Sequence, residues 1–437
     1  MTEPVPTSRL IDMMTSARRR TLEMVQGLTP DQFIGPKLPT LNPLIWEIGH
    51  VGWFYENFIL RRLYNQEPML ATGDALYDSI AIAHETRWDL PVLPLSEILA
   101  YMQDVQDAMI DRLGNKDMAD ERHSYLYQFT VFHEDMHTEA YTWARQTLGY
   151  PTPVFEGGPV DRGVPDTGSL DGDVVIMGGT FRMGAEKDAP FLFDNEKWAR
   201  PVTVAPFKMA RAPVTNREFA AFVADGGYQK EKFWDADGWA WRQEAAAEHP
   251  IYWVPDEHGG WGVRRFDQVV ELPLDQPVIH VCWHEANAYC RWAGRRLPTE
   301  AEWELAATTV PETTNGVLQK RRYPWGDEEP TPGHANLDGF ALGCVDVAAH
   351  SAGDSAYGCR QMIGNVWEWT ADVFKPFPGF APDDYKEYSQ PLFDSTRVLR
   401  GGAWTTRGRM ISALYRNYFG PDRRDVFAGF RTCAAAD

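Results

Sequence analysis

Apolar positions recur every three to four residues through four stretches, near 8–28, 43–64, 94–114 and 120–148, separated by short joints that carry Gly, Pro or Asp. The spacing predicts four amphipathic helices. Short joints between long helices predict a four-helix bundle over residues 1–149, in which inward side chains from neighbouring helices can meet at one point. The period is lost in YPTPVFEGGPVDRGVPDTGSLDGD, residues 150–173, which reads as a linker. From 174 to 437 the pattern is one of short strands, turns and aromatic-dense loops, with two convincing helices at 215–225 and 284–307, and most of the 17 tryptophans fall here. The expected fold is α+β: a helical bundle followed by a loop-rich domain with an aromatic core.

Composition narrows the function. A chain of 437 residues suggests two or three domains at roughly 150 residues each. A net charge of −20, with no zinc-finger spacing and no basic run beyond Arg18-Arg19-Arg20, argues against a nucleic-acid partner. The arginine triplet reads as a solvated helix face. No segment of residues 1–30 has the continuous apolar core of a signal peptide and no stretch approaches 18 apolar residues, so a soluble, cytoplasmic protein without a membrane partner is expected. The 5 cysteines, Cys282, Cys290, Cys344, Cys359 and Cys433, are odd in number and widely spaced, and read as reduced thiols.

The chemistry starts from HEDMH, residues 133–137, inside the fourth helical stretch. Imidazoles at i and i+4 lie on one helix face, about 6 Å apart along the axis, so His133 and His137 can address a single metal ion. The same string is the zinc-protease signature, with Glu134 as general base, and the alternative is a helix with two satisfied histidines. A third ligand is offered by the second stretch. Trp46, Ile48, Val51, Phe54 and Phe58 form its apolar stripe and His50 lies beside it, pointing toward the bundle interior or bonded there to a neighbouring backbone. Three neutral histidines leave about half of an octahedral shell open.

The second half carries a series of specific strings: GGTFRMG (178–184), PVTNREFAAF (213–222), PVIHVCWHEANAYCRWAGRRLPTEAEWELAA (277–307), YPWGDEEP (323–330), IGNVWEWT (363–370), VLRGGAW (398–404) and AGFR (428–431). Together they resemble the formylglycine-generating-enzyme-like domain, of C-type-lectin-like fold. No cysteine lies between 360 and 432, where that enzyme has its paired copper-binding thiols, which sets the generator activity aside. Joined to a DinB-like bundle bearing His…HExxHxE, the whole chain resembles the non-heme iron sulfoxide synthases of ergothioneine biosynthesis and their selenoneine-forming relatives. That resemblance implies Fe(II) as cofactor and O2 as co-substrate, with His50, His133 and His137 as iron ligands and the second domain closing over them. Glu134 then becomes an acid that supports the helix or orients a ligand.

Further roles follow from the resemblance one residue at a time. YKEYS, 385–389, is similar to a tyrosine pair whose first member donates a proton and whose second lines the pocket, here Tyr385 and Tyr388. YRNYFGPDRRDVFAGFR, 415–431, is similar to a substrate-binding tail in which Asn417 and Tyr418 face the trimethylammonium and carboxylate of hercynine. The 75–88 loop brings Arg87 as a carboxylate anchor and has Ile80-Ala81 where relatives have two tyrosines. Met136 stands where one branch has glutamine and Phe419 where it has the aspartate that contacts γ-glutamyl-cysteine, so both are placed at the substrates and a different donor is expected. The implied reaction joins the imidazole C2 of hercynine to a thiol donor, giving a sulfoxide. FHEDMH with RDVFAGFR also resembles the selenoneine synthases, whose donor is a selenosugar. Alternatives from other classes are a zinc metalloprotease and a non-catalytic binding module.

Overall fold

The computed structural model describes residues 4–114, 118–155 and 167–435. The chain forms two compact units, Met1–Glu156 with Lys187–Leu192, and Gly157–Glu186 with Phe193–Asp437. Residues 156–166 of the expected linker lie outside the described residues.

The first unit is helical. Its helices are α1 (Thr7–Val25), α2 (Pro30–Ile34), α3 (Leu44–Tyr55, continued by a π-helical turn, Glu56–Arg61), α4 (Gly73–Tyr77), α5 (Leu95–Leu113) and α6 (Glu121–Leu148). The four long ones are those the periodicity predicts. α1 packs on α6, and α3 lies against α5 and α6. On α1 the buried set Leu10, Met13, Met14, Ala17, Thr21 and Met24 keeps the three-to-four spacing of one helix face. α6 begins where Asp120 accepts the His123 backbone N–H (2.9 Å) and ends at Gly149, whose φ of 65° lets the Tyr150 N–H return to the Arg145 carbonyl (2.9 Å).

The arginine triplet is not a solvated face. Successive helical residues turn by about 100°, so three in a row cannot share one side. Arg18 is buried and its Nε meets Glu134 Oε1 at 3.0 Å; Arg20 pairs with Glu23 at 3.2 Å and lies over the Phe155 ring; Arg19 alone is exposed.

The second unit is built of small sheets and short helices. One four-stranded sheet runs in the order Asn417–Phe419, Arg397–Arg400, Trp367–Val373, Ala428–Gly429, with Val398 opposite Tyr418 and Leu399 opposite Asn417. Its helices are α7 (Asn216–Ala224), α8 (Ala236–Glu244), α9 (Trp283–Trp292) and α10 (Glu300–Thr308). The single helix expected at 284–307 is therefore two. Gly294, at φ 64°, ends the first, a strand Arg295–Arg296 follows, and Thr299 starts α10 by exchanging hydrogen bonds with Glu302. α8, not expected from the periodicity, starts at the capping carboxylate of Asp235.

The core is aromatic, as expected, with Trp303, Trp367, Trp369, Tyr228 and Tyr323 fully buried. It is also threaded by ions. Arg431 grips Glu368 at 2.7 Å, and Trp303 Nε1 donates to the same carboxylate at 2.8 Å. Arg400 joins Glu300 (2.7 Å) and Glu304 (3.0 Å), and Arg416 joins Glu300 (2.6 Å). All 5 cysteines are free and buried, and burial pushes the Cys359 thiol up to about 11 and those of Cys344 and Cys433 up to about 12. Among the described residues no helix is long and apolar enough to cross a membrane.

Candidate metal centre

His50 from α3 and His133 and His137 from α6 form the one cluster of potential metal ligands among the described residues, each offering a ring nitrogen within 4.8 Å of the others. The i,i+4 pair puts the His133 and His137 Nε2 atoms 3.2 Å apart. The His50 ring meets them edge-on, with centroids at 5.2 and 5.1 Å, and no two of the three rings stack.

Two of the rings are held from behind. The Nδ1 of His50 lies 2.8 Å from the Tyr77 carbonyl, and that of His137 lies 2.6 Å from Glu47 Oε1. A carbonyl and a carboxylate only accept, so each Nδ1 carries the proton and each Nε2 presents a lone pair to the cluster. His133 instead lies flat on Phe54, centroids 3.5 Å apart, and its buried Nδ1 has no hydrogen-bond partner among the described residues. Burial, with the neighbouring His137 second, draws the His50 pKa down to about 3, and burial takes His133 well below its ordinary value. Neutral imidazoles with converging lone pairs are the form in which histidine binds a metal, so the residues present fit a metal ion.

Sequence neighbours explain how the rings are brought there. Gly49 precedes His50, and a Cβ at that position would meet the Tyr77 ring at 2.2 Å; the missing side chain lets α4 close on α3 and deliver its carbonyl to His50. The His50 ring stacks on Trp46 (5.2 Å, 5°), whose indole N–H donates to the Leu76 carbonyl at 2.6 Å. Glu47 was not anticipated as a site residue. Its Glu-x-x-His spacing to His50 places it on the inward side of the same helix, a signal present in the sequence.

Glu134 does not orient a ligand. One residue past His133 it turns away from the cluster, fully buried, and its Oε1 accepts from Arg18 Nε (3.0 Å) and Thr21 Oγ (2.7 Å) on α1. Arg18 also donates to the Met102 carbonyl of α5 at 2.8 Å. Glu134 thus fastens the bundle, and the water-activating base a zinc peptidase would need is committed elsewhere.

The remaining candidates fall in two places. In the helical unit, Met136 is half-buried one residue before His137. Arg87 spends Nη1 on Asn42 (2.7 Å) and Nη2 on the carbonyls of Ser79 (3.0 Å) and Ile82 (3.2 Å), with its guanidinium 4.1 Å above Trp46, so it also braces its own loop. In the second unit, Asn417, Tyr418 and Phe419 share one strand. Tyr418 donates its hydroxyl to the Tyr388 carbonyl and stacks on Phe374 at 4.2 Å, while the Tyr388 hydroxyl donates to Tyr415 at 3.3 Å and its ring stacks on Phe193. Asn417 Oδ1 accepts the Tyr418 backbone N–H at 2.9 Å, and Phe419 lies under Arg423 at 5.1 Å. Tyr385, half-buried, precedes the 3-10 turn Lys386–Tyr388.

Comparison with known proteins agrees with this division. Residues 13–140 match the DinB superfamily and residues 162–436 match the sulfatase-modifying factor enzyme 1-like domain. The chain is 38% identical over 431 residues to the hercynine oxygenase of Mycolicibacterium smegmatis, covering 97% of each protein. It is 37% identical over 443 residues to that of Mycobacterium tuberculosis, covering 99% of each. The formylglycine-generating enzyme of Thermomonospora curvata is 34% identical over 298 residues, a match that spans 60% of this chain and 93% of its own. A helical unit carrying three convergent imidazoles ahead of such a domain, with likeness running through both, places the chain in the hercynine oxygenase family, as an oxygenase enzyme.

Proposed function

We propose that this oxygenase uses iron(II) and dioxygen to join the imidazole C2 of hercynine to the sulfur of a thiol donor, giving a sulfoxide in ergothioneine biosynthesis. The observation that carries the reading is the convergence of His50, His133 and His137, two of them with Nδ1 tied back by Tyr77 and Glu47. His50, His133 and His137 would hold the iron(II), which would supply the redox chemistry that lets dioxygen drive the joining of hercynine and the donor. The protein's own part is to keep His50 and His133 neutral by burial and to fix the rotation of His50 and His137 through Tyr77 and Glu47, so that the ligand face is ready before substrate arrives.

Tyr385 is assigned as proton donor on the family resemblance. A phenol, with a reference pKa near 10, keeps its proton near neutral pH and is suited to give it up during bond formation. Arg87, Met136, Tyr388, Asn417, Tyr418 and Phe419 are assigned to the substrates on the same ground. Met136 and Phe419 put apolar groups where the γ-glutamyl-cysteine-using branch has an amide and an acid, which supports a different donor. The same two positions, with FHEDMH and RDVFAGFR, support a second reading in which the donor is a selenosugar and a C–Se bond forms.

The test is mass spectrometry of products from protein loaded anaerobically with Fe(II), then exposed to air with hercynine and cysteine, γ-glutamyl-cysteine, glutathione or a selenosugar in turn, while oxygen uptake is recorded. The first reading expects a hercynine–thiol sulfoxide with a donor other than γ-glutamyl-cysteine. A selenosugar adduct alone selects the second reading. Oxygen uptake with none of the four, together with zinc-dependent peptide cleavage, would overturn both.

A further inference from the structure

We propose that the four residues Asp194–Lys197 form a clamp that sets the position of the loop carrying Tyr385, making Asp194, Asn195 and Lys197 positioning residues for the proton donor; this rests on the assignment of Tyr385 made above. The loop runs from Asp383 to Ser389 and is held at both ends by this one segment. At its start, Lys197 Nζ donates to both carboxylate oxygens of Asp383, at 2.8 and 2.6 Å. At its end, the fully buried Ser389 hydroxyl donates to Asp194 Oδ1 (2.5 Å) and accepts from Asn195 Nδ2 (3.0 Å). Tyr385 lies between these two attachments, and its carbonyl accepts the Tyr388 N–H at 3.1 Å to close the turn.

The clamp is itself rigid and rooted. Asp194–Glu196 is a 3-10 turn, closed by Glu196 Oε2 accepting the Phe193 N–H at 2.9 Å, and all three residues are buried. Arg416 Nη1 donates to the Asn195 carbonyl at 2.7 Å while Nε and Nη2 hold Glu300 at 2.6 and 3.0 Å, which ties the segment to the buried ion network of the core. Phe193 adds a stacking contact with Tyr388, centroids 4.8 Å apart. Within the turn, Tyr388 is also held, by the Tyr418 hydroxyl on its carbonyl and by Tyr415 on its own hydroxyl, while Lys386 is exposed. The two end attachments fix where the segment carrying Tyr385 starts and stops. That matters for an acid, because a displacement of about 1 Å from productive geometry can cost on the order of 100-fold in rate.

The experiment uses full-length, Fe(II)-loaded protein and the variants Ser389→Ala, Lys197→Met, Lys197→Arg and Tyr385→Phe, singly and with each of the first two combined with Tyr385→Phe. Ser389→Ala and Lys197→Met should lower kcat for bond formation by roughly 10- to 100-fold with little change in the hercynine KM. Lys197→Arg should recover most of the rate, and neither clamp change should slow the Tyr385→Phe enzyme further. Independently of turnover, amide hydrogen exchange across 383–389 should quicken in Ser389→Ala and Lys197→Met. Lys197 is partly exposed, so its variants cover the case in which Ser389→Ala fails to fold. Wild-type rate in Tyr385→Phe would remove the underlying assignment. A slow Tyr385→Phe beside full-rate clamp variants, losses that multiply in the double variants, or unchanged exchange in the loop would overturn the clamp.

Discussion

Arg431 and Glu368 in the second unit face one another at 2.7 Å, with the Trp303 N–H filling a further site on the same carboxylate, whereas His50, His133 and His137 in the helical unit each turn a ring nitrogen toward the other two. Both sets are ionisable groups inside the protein, His137 half-buried and the others buried. In the first, each charge meets its opposite and the arrangement is complete as it stands. In the second, three ring nitrogens converge within 4.8 Å of one another, an arrangement that a cation completes. The contrast does not follow the domain boundary, because the helical unit has its own closed pair, Arg18–Glu134, one residue from a ligand. What separates a fastener from a site is the partner each buried group faces, more than its burial or its place in a motif.

The comparison can be broken first in the second unit, where the largest effect on stability is expected. Arg431→Met leaves Glu368 buried without its cation and should cost about 3–5 kcal/mol of unfolding free energy. Denaturant titration measures it, and a loss under 1 kcal/mol would show that Glu368 is relieved in some other way.

Glu47→Gln sharpens the comparison within the helical unit. The His137 Nδ1 keeps an acceptor but loses the negative charge, so metal affinity should fall by roughly 10- to 100-fold with little change in the apo protein's stability. Competition with a chelator measures the affinity, and an unchanged value would remove Glu47 from the centre.

Glu134→Gln should do the reverse on a smaller scale. Arg18 loses its counter-charge but keeps the Met102 carbonyl and an amide oxygen, so stability should drop by about 1–2 kcal/mol while the metal affinity of the folded protein holds. A collapse of metal binding without loss of stability would return Glu134 to the role of orienting acid.

The four long helices, the aromatic core of the second half and the three histidines were legible in the sequence, because a 3.6-residue period and an i,i+4 spacing translate directly into which side chains share a face. For Glu134 the motif left two roles open, supporting the helix or orienting a ligand, and the structure shows the first. The 100° turn per residue carries it off the ligand face, and its partner, Arg18, is more than 100 residues away. Arg18 itself was hidden in a triplet whose net charge suggested solvent. The buried arginines Arg400, Arg416 and Arg431 left no periodic trace either, since an ion pair across a core depends on tertiary neighbours that spacing does not encode. The break at Gly294–Thr299 could have been read from its glycine and Pro298, but the strong helical pattern on either side outweighed them.

The claim that His50, His133 and His137 together form a metal centre is tested most directly by anaerobic Fe(II) titration of the wild type and of the three single alanine variants, following stoichiometry and thermal stability together. The wild type should bind one Fe(II) per chain with a raised Tm, both lost in His50→Ala, His133→Ala and His137→Ala, whose apo proteins stay folded. Stoichiometric Fe(II) binding at wild-type affinity in any one of the three would contradict it.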